Sequence, residues 1–129
     1  MADIFISYSQ KDRDVATALA AALEARGYTV WWDYELVGGV KFRREIKEQL
    51  SAASVAIVIW SASSVESDWV LDEAAEAKRQ DKLLPTRVEG HASRDIPFGF
   101  GGLHTVVVTD TDAVPRAVAA QGARPSGAG

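Results

Sequence analysis

Two residues in the stretch SDWVLDEAAEAKRQDK (Ser67–Lys82) are of types that could do chemistry: Trp69 and, one helical turn later, Glu73. At i and i+4 on a helix, a tryptophan and a carboxylate share one face. If that face borders a crevice, a single carboxylate works beside an aromatic wall. If it does not, Trp69 is a core-edge aromatic that staples the helix start. Glu73 is then a solvated acid favoured there by the helix dipole. Acidity alone does not choose, because Glu66, Asp68, Asp72 and Glu76 stand nearby. The choice depends on where the fold carries this helix.

Strand and helix patterns alternate along the chain. DIFISY (Asp3–Tyr8) is a short β-branched and aromatic run, hence a strand. Asp12 can cap the helix that follows, in which Val15, Ala16, Leu19, Ala22 and Leu23 recur at helical spacing and which Gly27 ends. YTVWW (Tyr28–Trp32) is a second strand, followed by a loop, DYELVGGV (Asp33–Val40), with a glycine pair. Phe42, Ile46, Leu50 and Ala53 mark a second amphipathic helix. VAIVIW (Val55–Trp60) is apolar without interruption, the signature of a central parallel strand buried on both faces. Trp31, Trp32 and Trp60 are expected in the core. After the Ser61–Ser64 loop, Ser67 is a candidate N-cap for the third helix. Its expected apolar stripe is Val70, Leu71, Ala74, Ala75 and the methylenes of Lys78. KLLPTRV (Lys82–Val88) is a fourth strand in which Pro85 should make the middle irregular. A long loop, the strand HTVVV (His104–Val108) and a short helix over Asp112–Ala120 complete the pattern.

Five strands alternating with helices in 129 residues predict an α/β fold: a flavodoxin-like, doubly wound, five-stranded parallel sheet of order 2-1-3-4-5 with helices on both faces. In that order ligands bind outside the carboxyl ends of strands 1 and 3, where the winding reverses. The loops after Tyr8 and after Trp60 should form the crevice, and the Trp69/Glu73 helix begins directly after the second of them. Tyr8, Ser9 and Gln10 follow strand 1 and should line it.

Composition excludes several classes. One domain of 1–120, with 121–129 as a flexible tail or linker leading to further domains, suits the length and the Gly/Ala/Pro/Ser-rich end GARPSGAG. The formal charge of −4 with no basic block argues against a nucleic-acid partner. The absence of cysteine excludes disulfides, thiol catalysis and thiolate metal sites, and suits a cytoplasmic location. No apolar run has membrane-span length, and MADIFISYSQ lacks the basic start and long apolar run of a signal peptide. No metal or cofactor is expected, and with two histidines a His/Cys metal site is not. SYSQKDR after strand 1 contains no glycine, so a flavin-phosphate cradle is missing, as are both glycine-rich phosphate-binding patterns. Strand 3 ends in Trp60-Ser61 rather than the aspartate of a phosphoryl-accepting receiver, and no G-x-S-x-G nucleophile elbow occurs.

DIFISYSQKD, GYTVWWDYELVGGVKF and SDWVLDE together resemble a TIR (Toll/interleukin-1 receptor) domain of bacterial type, over about Asp3 to Val108. The W-x-D end of strand 2 with its Gly-bearing loop matches the family pattern. The W-x-x-x-E spacing of Trp69 and Glu73 resembles the TIR subset that cleaves NAD⁺. The resemblance implies an NAD⁺ nucleosidase giving nicotinamide and ADP-ribose or a cyclic ADP-ribose isomer, with NAD⁺ as substrate rather than cofactor. Nicotinamide leaves as a neutral molecule and needs no general acid. One carboxylate can therefore serve where ordinary glycosidases use two. Glu73 would be that carboxylate, stabilising oxocarbenium-like charge and holding the ribose hydroxyls, with Trp69 as the wall beside it. Lys41 and Phe42 match a Lys-Phe pair of catalytic relatives, and Asp33 shapes the loop. Many NAD-cleaving relatives carry basic residues just after the position of Tyr8. Here Ser9 and Gln10 stand there, with Lys11 and Arg13 later. The loop around Leu36, Gly38 and Gly39 packs on neighbouring TIR domains in the family, so the resemblance implies activation by self-association. Two further readings remain: a non-catalytic TIR–TIR interaction module or mimic of host signalling, and a nucleoside deoxyribosyltransferase, which shares the architecture and a catalytic carboxylate.

Overall fold

The computed structural model describes residues 3–32, 40–89, 105–110 and 112–123. The strands are β1 (Ile4–Ser7), β2 (Val30–Trp31), β3 (Val55–Trp60), β4 (Leu83–Arg87) and β5 (Val106–Val107). The helices are α1 (Arg13–Glu24), α2 (Val40–Ala52), α3 (Asp68–Arg79) and α4 (Ala113–Ala120). All strand pairs are parallel, in the order β2-β1-β3-β4-β5. The expected doubly wound, flavodoxin-like sheet is therefore the fold. No helix among the described residues is long and apolar enough to cross a membrane.

The centre of the sheet is apolar because both its faces are covered. Every residue of β1 and β3 is buried. Residues paired sideways in a parallel ladder point to the same face, and neighbours along a strand to opposite faces. Val58 and Trp60 pack with Val70 and Ala74 of α3. Ser7 pairs with Val58, and so shares that face. The α1 side of the sheet carries Tyr8, tilted against Trp32, whose ring lies under the Arg13 guanidinium at 5.7 Å.

Four expectations need correction. Trp60 is fully buried, but Trp31 and Trp32 are only half-buried, since β2 is an edge strand. Asp12 stands at the start of α1 without capping it: a 3-10 turn over Gln10–Asp12 precedes the helix, and the Asp12 carboxylate instead accepts from the Ser61 hydroxyl. Pro85 does not disturb β4, which pairs regularly from Leu83 to Arg87. Val88 donates to Trp60 of β3, so by alternation the nitrogen of residue 85 faces β5, which pairs only with Thr86 and Arg87; no ladder bond is lost there. The buried stripe of α3 is Val70, Glu73, Ala74 and Ala77, whereas Ala75 and Lys78 are exposed and Leu71 is half-buried. The stripe is rotated toward Glu73 because α3 packs over β1 as well as β3 and β4.

Three helices end by one device. Gly27, Asp81 and Gly122 have φ of 92, 60 and 94°. Each precedes a residue whose N–H returns to the last helical turn: Tyr28 to Leu23, Lys82 to Ala77 and Ala123 to Val118. These are Schellman stops, in which a left-handed residue satisfies the orphan carbonyls. Ala123 is thereby buried against the core beyond the end of α4.

Candidate active site

Ser67 caps α3 as expected, its hydroxyl accepting from the Val70 N–H at 3.3 Å. The cap fixes where the helix starts, and the docking of α3 over β1 turns Glu73 inward. Glu73 is 6% exposed, the one charged side chain buried among the described residues. A buried carboxylate costs several kcal/mol unless hydrogen bonds compensate it, roughly as a buried ion does. Ser7, the last residue of β1, donates its hydroxyl to Glu73 Oε1 at 2.6 Å.

A cleft of about 270 Å³ lies between α2 and α3, lined by Ile46, Lys47 and Leu50 on one side and Trp69, Asp72, Glu73 and Glu76 on the other. Trp69 is half-buried and packs against the core, so the stapling and cleft-wall readings both hold geometrically. Among the described residues the cleft carries three carboxylates, Asp72, Glu73 and Glu76, against the Lys47 ammonium. Donation from the Gln80 amide and from Arg79 holds the Glu76 carboxyl below its usual range.

The other expected site residues are less close together. Tyr8 is buried and packs with Trp32 on the α1 side of the sheet; it does not line this cleft. The Ser9 hydroxyl accepts from the Lys11 N–H at the start of the 3-10 turn. The Ser61 N–H donates to the Ser64 hydroxyl, which itself donates to the Ile59 carbonyl of β3 at 2.7 Å, while the Ser61 hydroxyl goes to Asp12. Lys41 and Phe42 fall in the first turn of α2, the helix that builds the far wall; the placement of their side chains lies outside the described residues. Asp33, Leu36, Gly38 and Gly39 also lie outside them.

Ser7 is the functional candidate that sequence reasoning passed over. Its signal was available: a lone hydroxyl in a strand buried at every position must find a partner. Lys47 was missed because a lysine on a helix reads first as solvated surface.

A doubly wound parallel sheet places ligands outside the carboxyl ends of its strands, and here a buried carboxylate stands on the helix after β3. Comparison narrows the fold to a family. A family model described as a TIR domain matches residues 4–120, nearly the whole chain. The chain belongs to the TIR domain family. It is 42% identical over 69 residues to the 2' cyclic ADP-D-ribose synthase BtTIR of Bacteroides thetaiotaomicron, covering 52% of this chain and 24% of that protein. It is 33% identical over 90 residues to the NAD(+) hydrolase PdTIR of Paracoccus denitrificans, covering 64% of this chain and 30% of that one. The chain thus spans less than a third of either relative. In three dimensions it is similar to the TIR domain of the Toll-related receptor TRR-2 of Hydra magnipapillata, with a TM-score of 0.72 at 17% identity over 92% of this chain and 99% of that one.

Proposed function

We propose that this domain cleaves the nicotinamide–ribose bond of NAD⁺, with Glu73 as the essential carboxylate. The observation that carries the reading is a buried Glu73, held by Ser7 and opening beside Trp69 into the α2/α3 cleft. Its support from comparison is two bacterial relatives named as an NAD(+) hydrolase and a cyclic ADP-ribose synthase.

The charge of the cleft suits the cationic end of the substrate. Asp72, Glu73 and Glu76 attract a pyridinium ring and repel a diphosphate, so the nicotinamide–ribose end faces Glu73. The bond from ribose C1′ to the pyridinium nitrogen breaks, and its electron pair leaves with neutral nicotinamide. Glu73 stabilises the positive charge that develops on the ribose. Water then adds to C1′ and loses a proton, giving ADP-ribose; attack by a nucleophile within the same molecule gives a cyclic isomer. Trp69 packs on the ribose–nicotinamide end and controls water's access. Lys41 and Phe42, beginning α2, are assigned to the substrate's far side, with Asp33 shaping the loop before them.

Incubation of the chain at high concentration with NAD⁺, with nicotinamide followed by chromatography, tests this. Turnover is expected, and Glu73→Ala should abolish it. Activity that survives Glu73→Ala would sink the assignment. An inactive wild-type chain, even when clustered on beads, would favour the interaction-module reading, and turnover of deoxynucleosides would favour a transferase.

A further inference from the structure

We infer that Ser7 is a positioning residue, whose hydroxyl sets the orientation of the Glu73 carboxylate. The inference rests on the proposed role of Glu73 and extends it to a residue far away in sequence. The two side chains are separated by 66 positions and meet only because α3 crosses the carboxyl end of β1.

Ser7 is 3% exposed and its backbone is fixed in the middle of the sheet, paired sideways with Val58. The hydroxyl can therefore move only by rotation of its own short side chain. Glutamate, by contrast, has three side-chain torsions and no intrinsic preference for the direction of its carboxylate. A 2.6 Å bond from a donor on the sheet holds Oε1 in place and so restrains where Oε2 can lie. The reacting carboxylate is thus referenced to the β-sheet, the stiffest part of the molecule, rather than to the helix that carries it. Alanine would fill the same space in β1 without a buried hydroxyl, so packing alone gives no reason for serine here. Lys47 on α2 and Asp72 and Glu76 on α3 line the same cleft and stay unchanged when Ser7 is replaced, so an effect of replacement belongs to the hydroxyl.

The test compares wild type with Ser7→Ala, which removes the donor, and Ser7→Cys, which is slightly larger and keeps a weak donor. Thermal melts of all three confirm folding. For Ser7→Ala we expect kcat to fall by about 10²-fold, the effect of a reacting group displaced by about an ångström, with KM nearly unchanged. The acidic limb of its kcat–pH profile should move up, because a donor to the charged form is lost. Ser7→Cys should fall between, and would carry the comparison alone if the alanine variant did not fold. A kcat close to wild type with an unmoved acidic limb overturns the inference. If the wild-type chain does not cleave NAD⁺, the proposed function fails on its own. Ser7 is then judged by the carbon-13 carboxyl resonance of Glu73 in the resting protein. An upward shift of its titration midpoint in the alanine or cysteine variant sustains the positioning role, and an unchanged titration ends it.

Discussion

Glu73 and Trp69 do different work from the same helix face. Glu73 is almost wholly enclosed, while Trp69 is half-buried and shared between core and cleft. The two contributions of Trp69 can be separated by substitution. Trp69→Ala should lose about 2 kcal/mol of stability, below the range for a fully buried tryptophan, and also lose at least about tenfold in kcat/KM, or roughly 1.4 kcal/mol of transition-state binding. Trp69→Phe keeps an aromatic wall and most of the packing, so it should recover the melting temperature and much of the rate. If the phenylalanine variant were stable yet as slow as the alanine variant, the indole itself would be required. If both retained full activity, Trp69 would be a staple only.

At the scale of elements, the ends of helices place the site. The Ser67 cap sets the start of α3, and the Asp81 stop sets its end, directing the chain into β4. Lys82, just past that stop, donates to the carbonyls of Ser51 and Ala53 at the end of α2, tying the two helices of the cleft together. Burial lowers the pKa of its ammonium, only partly offset by Glu76. Asp81 does with an L-side chain what Gly27 and Gly122 do without one. Asp81→Gly should therefore stabilise the domain by about 0.5–1 kcal/mol, seen as a melting temperature higher by roughly 2–5 °C. An unchanged or lower melting temperature would mean that the aspartate compensates its own strain.

At the scale of the molecule, the cleft has one wall from each of two helices that share a sheet face, and α2 follows the segment of Leu36, Gly38 and Gly39 in sequence. A neighbouring domain packed on that segment would act on the start of α2 and so on the far wall. We therefore expect specific activity to rise with protein concentration, measured as nicotinamide release per chain across a wide dilution series. Constant specific activity would show that the isolated chain is complete.

The order of strands, the central position of β3 and the Ser67 cap could be read from the residues alone. The last two depend on neighbours along the chain: an apolar run needs two covered faces, and a serine before a helical stripe needs an N–H to bond; the strand order followed from the alternation of strands and helices. The Trp69/Glu73 face was visible at the same range, since i and i+4 always meet on a helix. The direction of that face was not. Leu71, Ala75 and Lys78 fit a helical stripe about as well as the buried set, and only the docking of α3 over β1 turned Glu73 inward. Tyr8 and Ser7 are adjacent, and the alternation of a strand sends one to Trp32 and the other to Glu73. Local periodicity settles which residues can share a face. Which face meets which partner depends on contacts between segments far apart in the chain, such as the bond from Ser7 to Glu73, and those exist only once the sheet has assembled.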